Sequence, residues 1–85
     1  MGADGIERTL AMERRINEAF AAVFDSAAGT KAIEYLRSIT INTVAGPDQS
    51  DAALRHLEGG RYIVGIIDQR IQCGYKQRKG AGENE

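Results

Sequence analysis

Apolar residues recur at Ile6, Leu10, Ile16, Phe20, Val23 and Phe24, with Met12 and Ala19 beside them. Steps of mostly three and four gather them on one face of a helix, while Glu7, Arg8, Glu13, Arg14 and Glu18 fill the other. The pattern predicts a first helix from Ile6 to about Asp25-Ser26, preceded by a flexible arm over residues 1–5. Ser26 reads as the N-cap of a second helix bearing Ile33 and Leu36, because its hydroxyl can accept one of the unpaired amide protons of a first turn. Gly29 would cost that helix up to about 1 kcal/mol against alanine, so its presence predicts close approach of another backbone. From Ile39 the chain turns β-branched, through Thr40, Ile41, Thr43 and Val44, and such residues weaken a helix. The expectation is fraying into an extended segment that ends at Gly46-Pro47-Asp48. Thr40–Val44 could add a strand to a partner's sheet, but the chain offers it no second strand.

Asp48 or Ser50 caps a third helix whose stripe reads Ala53, Leu57, Gly60, Val64, Ile67 and Ile71. Alternating steps of four and three make a seven-residue repeat, which predicts packing along a seam. The register runs unbroken across Gly59-Gly60, which favours a crossing point over a break. Ile63 and Ile66 lie off the seam and widen the apolar face. The pattern stops at Gln72-Cys73-Gly74, so residues 75–85 are expected to be a disordered tail, basic and then acidic. The fold class that follows is all-α: a small three-helix unit, a helical hairpin plus a long third helix, in one domain over residues 6–74, with no independent sheet. Its expected core is Phe20, Val23, Phe24, Gly29, Leu36, Leu57, Gly60, Val64, Ile67 and Ile71. Glu58, Gly59, Arg61, Ile63 and Ile66 are the interface candidates.

Size and charge narrow the picture. A chain of 85 residues buries only about 60% of its unfolded surface, and domains so small often lean on a staple or a partner. Eleven Lys+Arg against twelve Asp+Glu leave a net charge of −1, so no global field advertises nucleic acid or an acidic membrane. One cysteine excludes an internal disulfide, and one histidine leaves no Cys/His cluster for structural zinc. Apolar runs such as Ile63 to Ile67 fall far short of the roughly 20 residues of a membrane span. No charged-then-apolar leader opens the sequence, so no secretory signal is expected.

Few residues offer chemistry. His56 sits beside the seam with no second imidazole, which favours an interface or helix-surface histidine over a metal ligand. Cys73 has neither a second thiol nor an adjacent base and reads as a small half-buried side chain. No phosphate-binding loop, zinc-protease helix or nucleophile elbow occurs, so no catalytic residue, metal or cofactor is assigned and no enzyme is expected. Residues 70–79 hold Arg70, Lys76, Arg78 and Lys79 and no acid. With Tyr75 among them, these could touch phosphates and stack on a base, although cations at a helix C-terminus also suit its dipole. Glu58 and Arg61, three apart, make a surface ion pair worth under about 1 kcal/mol in the bland reading. In the sharper reading they fix the register of a helix crossing at the glycines, filled by the aromatic group Phe20-x-x-Val23-Phe24.

That aromatic group, then Gly29, Leu36 and Glu58-Gly59-x-Arg61 before an apolar helix, resembles a family of small tailed-phage proteins typified by one from a Bordetella podophage. The resemblance spans about residues 20 to 71; the arm with residues 2–15 and the basic tail fall outside it. It implies a virion-associated or assembly protein encoded near portal, scaffold and capsid genes, and it supplies no catalytic residue. The expectation is a non-enzymatic structural protein of the virion, assembled in the host cytoplasm. It would dock as repeated copies on the portal or capsid protein, or on its own copies, at the portal or inner head. Two alternatives stand beside it: a small nucleic-acid-associated protein using Arg70 to Lys79, and an intracellular phage adaptor of a host protein. No membrane partner is expected.

Overall fold

The computed structural model describes residues 4–83. Three helices follow in order: α1, Leu10–Phe24; α2, Ala27–Ser38; and α3, Asp51–Glu83. Among the described residues there is no strand. The expected all-α hairpin with a long third helix is the observed fold.

The start of α1 lies four residues beyond the predicted one. Gly5 adopts φ +80°, a left-handed conformation that interrupts a helix and that glycine tolerates. Asp4 accepts the Ile6 amide proton at 3.0 Å, and the helix begins only where the Thr9 hydroxyl accepts from the Met12 amide at 3.2 Å. Ile6 is therefore outside the helix and exposed. Of the expected arm, residues 1–3 lie outside the described residues.

Between α1 and α2 the chain turns within two residues. The Ser26 hydroxyl caps α2, accepting from the Gly29 amide at 3.0 Å. A Cβ at Gly29 would overlap the Val23 carbonyl oxygen and come within 2.7 Å of the Phe24 Cα. The glycine is what lets the turn close this tightly.

The β-branched run does weaken α2, which ends at Ser38, but no extended strand forms over Thr40–Val44. Residues 39–42 are turns instead. The amides of Thr40 and Asn42 donate to the Arg37 carbonyl at 3.2 and 2.9 Å, and the Thr40 hydroxyl donates to the Leu36 carbonyl at 2.6 Å. Local side-chain bonding of this kind competes with extension.

Ser50 rather than Asp48 caps α3, its hydroxyl accepting from the Ala53 amide at 3.1 Å. The helix spans 33 residues, roughly 50 Å at 1.5 Å per residue. It passes through Gly59-Gly60 and Gly74 without a break and ends well beyond the expected limit of residue 74. Residues 75–83, read from the sequence as disordered tail, are thus helical, and residues 84–85 lie outside the described part. The reason is at Gly74: a Cβ there would overlap the Asn17 carbonyl oxygen and sit 2.5 Å from the Ala21 Cβ. Gly74 marks the crossing of α1 over α3, not the end of a helix.

The core is thin. Ile33, Val64 and Ile71 form its buried centre, with Phe20, Phe24, Leu36, Ile67 and Tyr75 packed around them. The rings of Phe20 and Phe24 stack with centroids 6.2 Å apart. Among the described residues no large side chain is wholly buried. The radius of gyration is 15.5 Å, against about 12 Å for a compact domain of this length. The accessible surface is 6146 Å², where a compact protein of this mass would show about 4,900 Å². The surplus lies in an elongated body of 55 × 32 × 16 Å.

Candidate functional site

Polar clamps along α3 hold the rest of the chain against it. Arg70, only 5% exposed, donates to the Glu13 carboxylate and to Asn17 Oδ1 at 3.0 Å, with the Asp4 carboxylate at 3.9 Å. Arg8 joins from the arm, 2.9 Å from Asp4 and 3.2 Å from Glu13. Two guanidiniums and two carboxylates close a neutral cluster, which a buried charge such as Arg70 requires. Hydrogen bonds from Arg8 and from the Ile6 amide hold the Asp4 carboxyl down at about 2. Those from Arg70, and then Arg8, hold Glu13 below the usual carboxylate range. Asn17 extends the cluster, donating through Nδ2 to Gln77 Oε1 at 2.7 Å. Gln77 in turn donates to the Arg14 carbonyl at 3.2 Å.

Two further clamps act nearer the middle of α3. Arg37 of α2 donates through Nε to the Asp68 carboxylate at 2.9 Å, and this partner raises the Arg37 pKa. Arg61 donates to the carbonyls of Thr40, at 3.1 Å, and Thr43, and pairs with Glu58. The order Arg37–Asp68, then Thr40–Arg61, shows α2 and its connector running antiparallel to α3.

These contacts revise the site expectations. Arg70 cannot serve as a phosphate contact, because α1 and the arm consume its donors. Tyr75 is half-buried against the core and lies under the Arg78 guanidinium, 6.0 Å from ring centroid to Cζ. Arg78 also pairs with Asp25 at 3.6 Å, and Lys76 and Lys79 are exposed. The cationic stretch is therefore divided between interior and surface. Val23, expected in the core, is 63% exposed. Gly60 does meet a neighbour, but it is the Thr40 side chain of the connector, 3.2 Å from where a Cβ would stand, not the aromatic group. Phe20 and Phe24 lie instead against Ile33, Val64 and Ile71. Gly29 is buried; Leu36, Leu57 and Ile67 are half-buried. Of the interface candidates, Glu58, Gly59 and Ile63 are exposed, while Arg61 and Ile66 are half-buried.

Asn17, Arg70, Gly74 and Gln77 were not singled out for these roles by sequence. Gly74 had a usable signal, since it continues the seam three residues beyond Ile71. Arg70 had none, because a buried and an exposed arginine look alike without their partners.

The fold also leaves apolar side chains uncovered. On α1, Ala19, Phe20, Val23 and Phe24 line an open groove of ≈ 290 Å³. Elsewhere, Val44 of the connector is 90% exposed and Ile63 of α3 is 56% exposed, with Ile41 and Leu54 also uncovered. The groove on α1, where apolar side chains adjoin, is the kind of patch that marks a docking surface in small proteins. His56 is exposed and Cys73 half-buried. Among the described residues no three His, Cys, Asp or Glu side chains group as metal donors. No described helix is long and apolar enough to cross a membrane.

The Bbp19-like phage protein family model matches residues 20–74, which takes in the last turn of α1 from Phe20, all of α2, the connector and α3 up to its crossing glycine. No curated protein and no solved structure matches the chain. The matched span covers more than half of the sequence and includes the whole hydrophobic centre, and so the chain belongs to the Bbp19-like phage protein family.

Proposed function

We propose that this phage protein is a non-enzymatic structural component of the virion, docking as repeated copies on a larger particle protein at the portal or inner head. The observation that carries the reading is the surplus surface: 6146 Å² on a 9.2 kDa chain, with apolar side chains of α1, the connector and α3 uncovered. A partner that covers this surface supplies the burial the thin core lacks. The seam of α3 supports the same reading. Its N-terminal half, from Ala53 to Gly60, keeps the heptad spacing but holds no buried residue.

Quantitative mass spectrometry of gradient-purified particles tests the proposal. A copy number near that of the portal protein supports a place on the ring. A number near that of the major capsid protein moves the protein to the shell. Absence from particles, with presence in infected cells, sinks the virion reading and favours an intracellular adaptor. Nucleic-acid contact through Tyr75, Lys76, Arg78 and Lys79 is the weaker reading, since only part of that stretch faces solvent.

A further inference from the structure

The outer face of α1 carries a second heptad stripe, exposed at Met12, Ala19 and Val23 and half-buried at Ile16. Met12, Ile16, Ala19 and Val23 follow steps of four, three and four, whereas the residues α1 buries against α3 are Asn17 and Ala21. Met12 and Val23 are largely exposed, and the groove beside Ala19 and Val23 has the Phe20 and Phe24 rings for its floor. At ≈ 290 Å³ and open to solvent, the groove lies at or below the low end of ligand pockets, about 300–1,000 Å³. It is of a size to receive side chains of another helix.

We infer that this face pairs with the same face of a second copy, the two α1 helices running antiparallel about a dyad between Asn17 and Glu18. Three observations select a copy of the chain as the occupant. The stripe is self-complementary: the dyad sets Met12 opposite the partner's Val23 and Ile16 opposite the partner's Ala19, a larger side chain against a smaller one in each layer. These are the two side chains that enter the groove. The edge charges also match. Arg15 flanks the stripe and Glu18 lies one row further round on the same side, and the dyad brings each Arg15 within two residues of level with the partner's Glu18, ~3 Å along the axis. Finally, the surplus surface is of the right size. The excess over a compact monomer is about 1,200 Å², and a standard interface removes about 800 Å² per partner. The inference deepens the virion reading by naming the partner of one apolar face, and it rests on that reading only in leaving the α3 face to the larger particle protein.

Sedimentation equilibrium on the full chain is the first test. The wild type is expected at twice 9.2 kDa. Val23→Glu, at an exposed position, is expected to keep its helical circular dichroism while its dimer Kd rises at least ~tenfold. Register is tested in a Cys73→Ser background by mixing Met12→Cys protein with Val23→Cys protein. The mixture should form a disulfide-linked dimer under oxidation. Neither variant alone should do so, because its own cysteines stand ~16 Å apart along the axis, beyond a disulfide's reach of under about 7 Å. A monomer up to the solubility limit, a dimer indifferent to Val23→Glu, or cross-linking of Met12→Cys with itself overturns the inference. Each of these outcomes leaves the particle copy number standing, and absence from particles leaves the dimer standing, so the two failures are distinct.

Discussion

The two halves of α3 share one heptad repeat and meet opposite fates. From Val64 to Gly80 the helix is covered: Val64, Arg70, Ile71 and Gly74 are buried beneath α1 and α2. From Asp51 to Ile63 no residue is buried, and Arg61 and Gly60 meet the turn of the connector at Thr40. The glycines report the same contrast. At Gly74 an added methyl would strike the α1 backbone, whereas at Gly59 it would meet nothing within 4 Å. The lesson is that a continuous seam in sequence does not imply continuous cover in space. Two helices of 15 and 12 residues cannot line a helix of 33 when one of them crosses it.

Changes at the crossing probe this contrast most forcefully. Gly74→Ala is expected to cost about 3 kcal/mol or more, at or above the upper end for overpacking because the obstacle is backbone. On a small domain with roughly 5 kcal/mol of total stability, the urea midpoint would fall to less than about half. A loss below about 0.5 kcal/mol would mean that α1 does not cross α3 there.

Next comes the buried cluster. Arg70→Met should cost roughly 2–3 kcal/mol, less than the 3–5 kcal/mol of a fully broken buried pair, because Glu13 keeps Arg8. A double-mutant cycle with Glu13→Gln separates the pair's coupling from the packing of the arginine stem.

The exposed half should respond with the opposite sign. Gly59→Ala is expected to stabilise the isolated protein by about 0.5–1 kcal/mol, the usual gain for alanine over glycine in an exposed helix. If the same variant is excluded from particles while Gly59→Ala protein stays folded, a partner backbone approaches at Gly59. If incorporation is unchanged, the docking surface lies elsewhere on the helix.

The smallest expected effect is that of acid. Asp4 and Glu13 have folded-state pKa values below their unfolded ones. Their contribution is therefore complete above the ordinary carboxylate range and is lost as pH falls through the folded values. Between pH 4 and pH 2 the arm should loosen first, seen as faster exchange of the Ile6 amide, whose proton Asp4 accepts. Protection of the core amides around Val64 and Ile71 should fall later. Simultaneous loss would mean that the arm and the covered half of α3 unfold as one unit.

Much of this architecture was legible in the chain. Thr9, Ser26 and Ser50 cap by local chemistry that needs no neighbour, and only the first of them was overlooked, because the apolar period extended past it to Ile6. The stripe from Ala53 to Ile71 identified the face of α3 that packs. The face of α1 was harder to read, because Met12, Ile16, Ala19 and Val23 make as good a stripe as the one actually buried. Expecting Val23 inside followed from that ambiguity. The polar cluster was illegible, since its members lie far apart in sequence and each has a bland surface reading.

By itself, then, the sequence determined the number of helices, their caps, the tight α1–α2 corner at Gly29 and the seam of α3, because hydrogen bonding in a first turn and apolar period are local properties. Only the tertiary structure decided which face of α1 is inside, that Gly74 is a crossing and not a terminus, that Arg70 is buried, and which half of the seam stays open. Those outcomes depend on how closely two backbones approach and on where a buried charge finds its counter-charge, and neither quantity exists until the helices have packed.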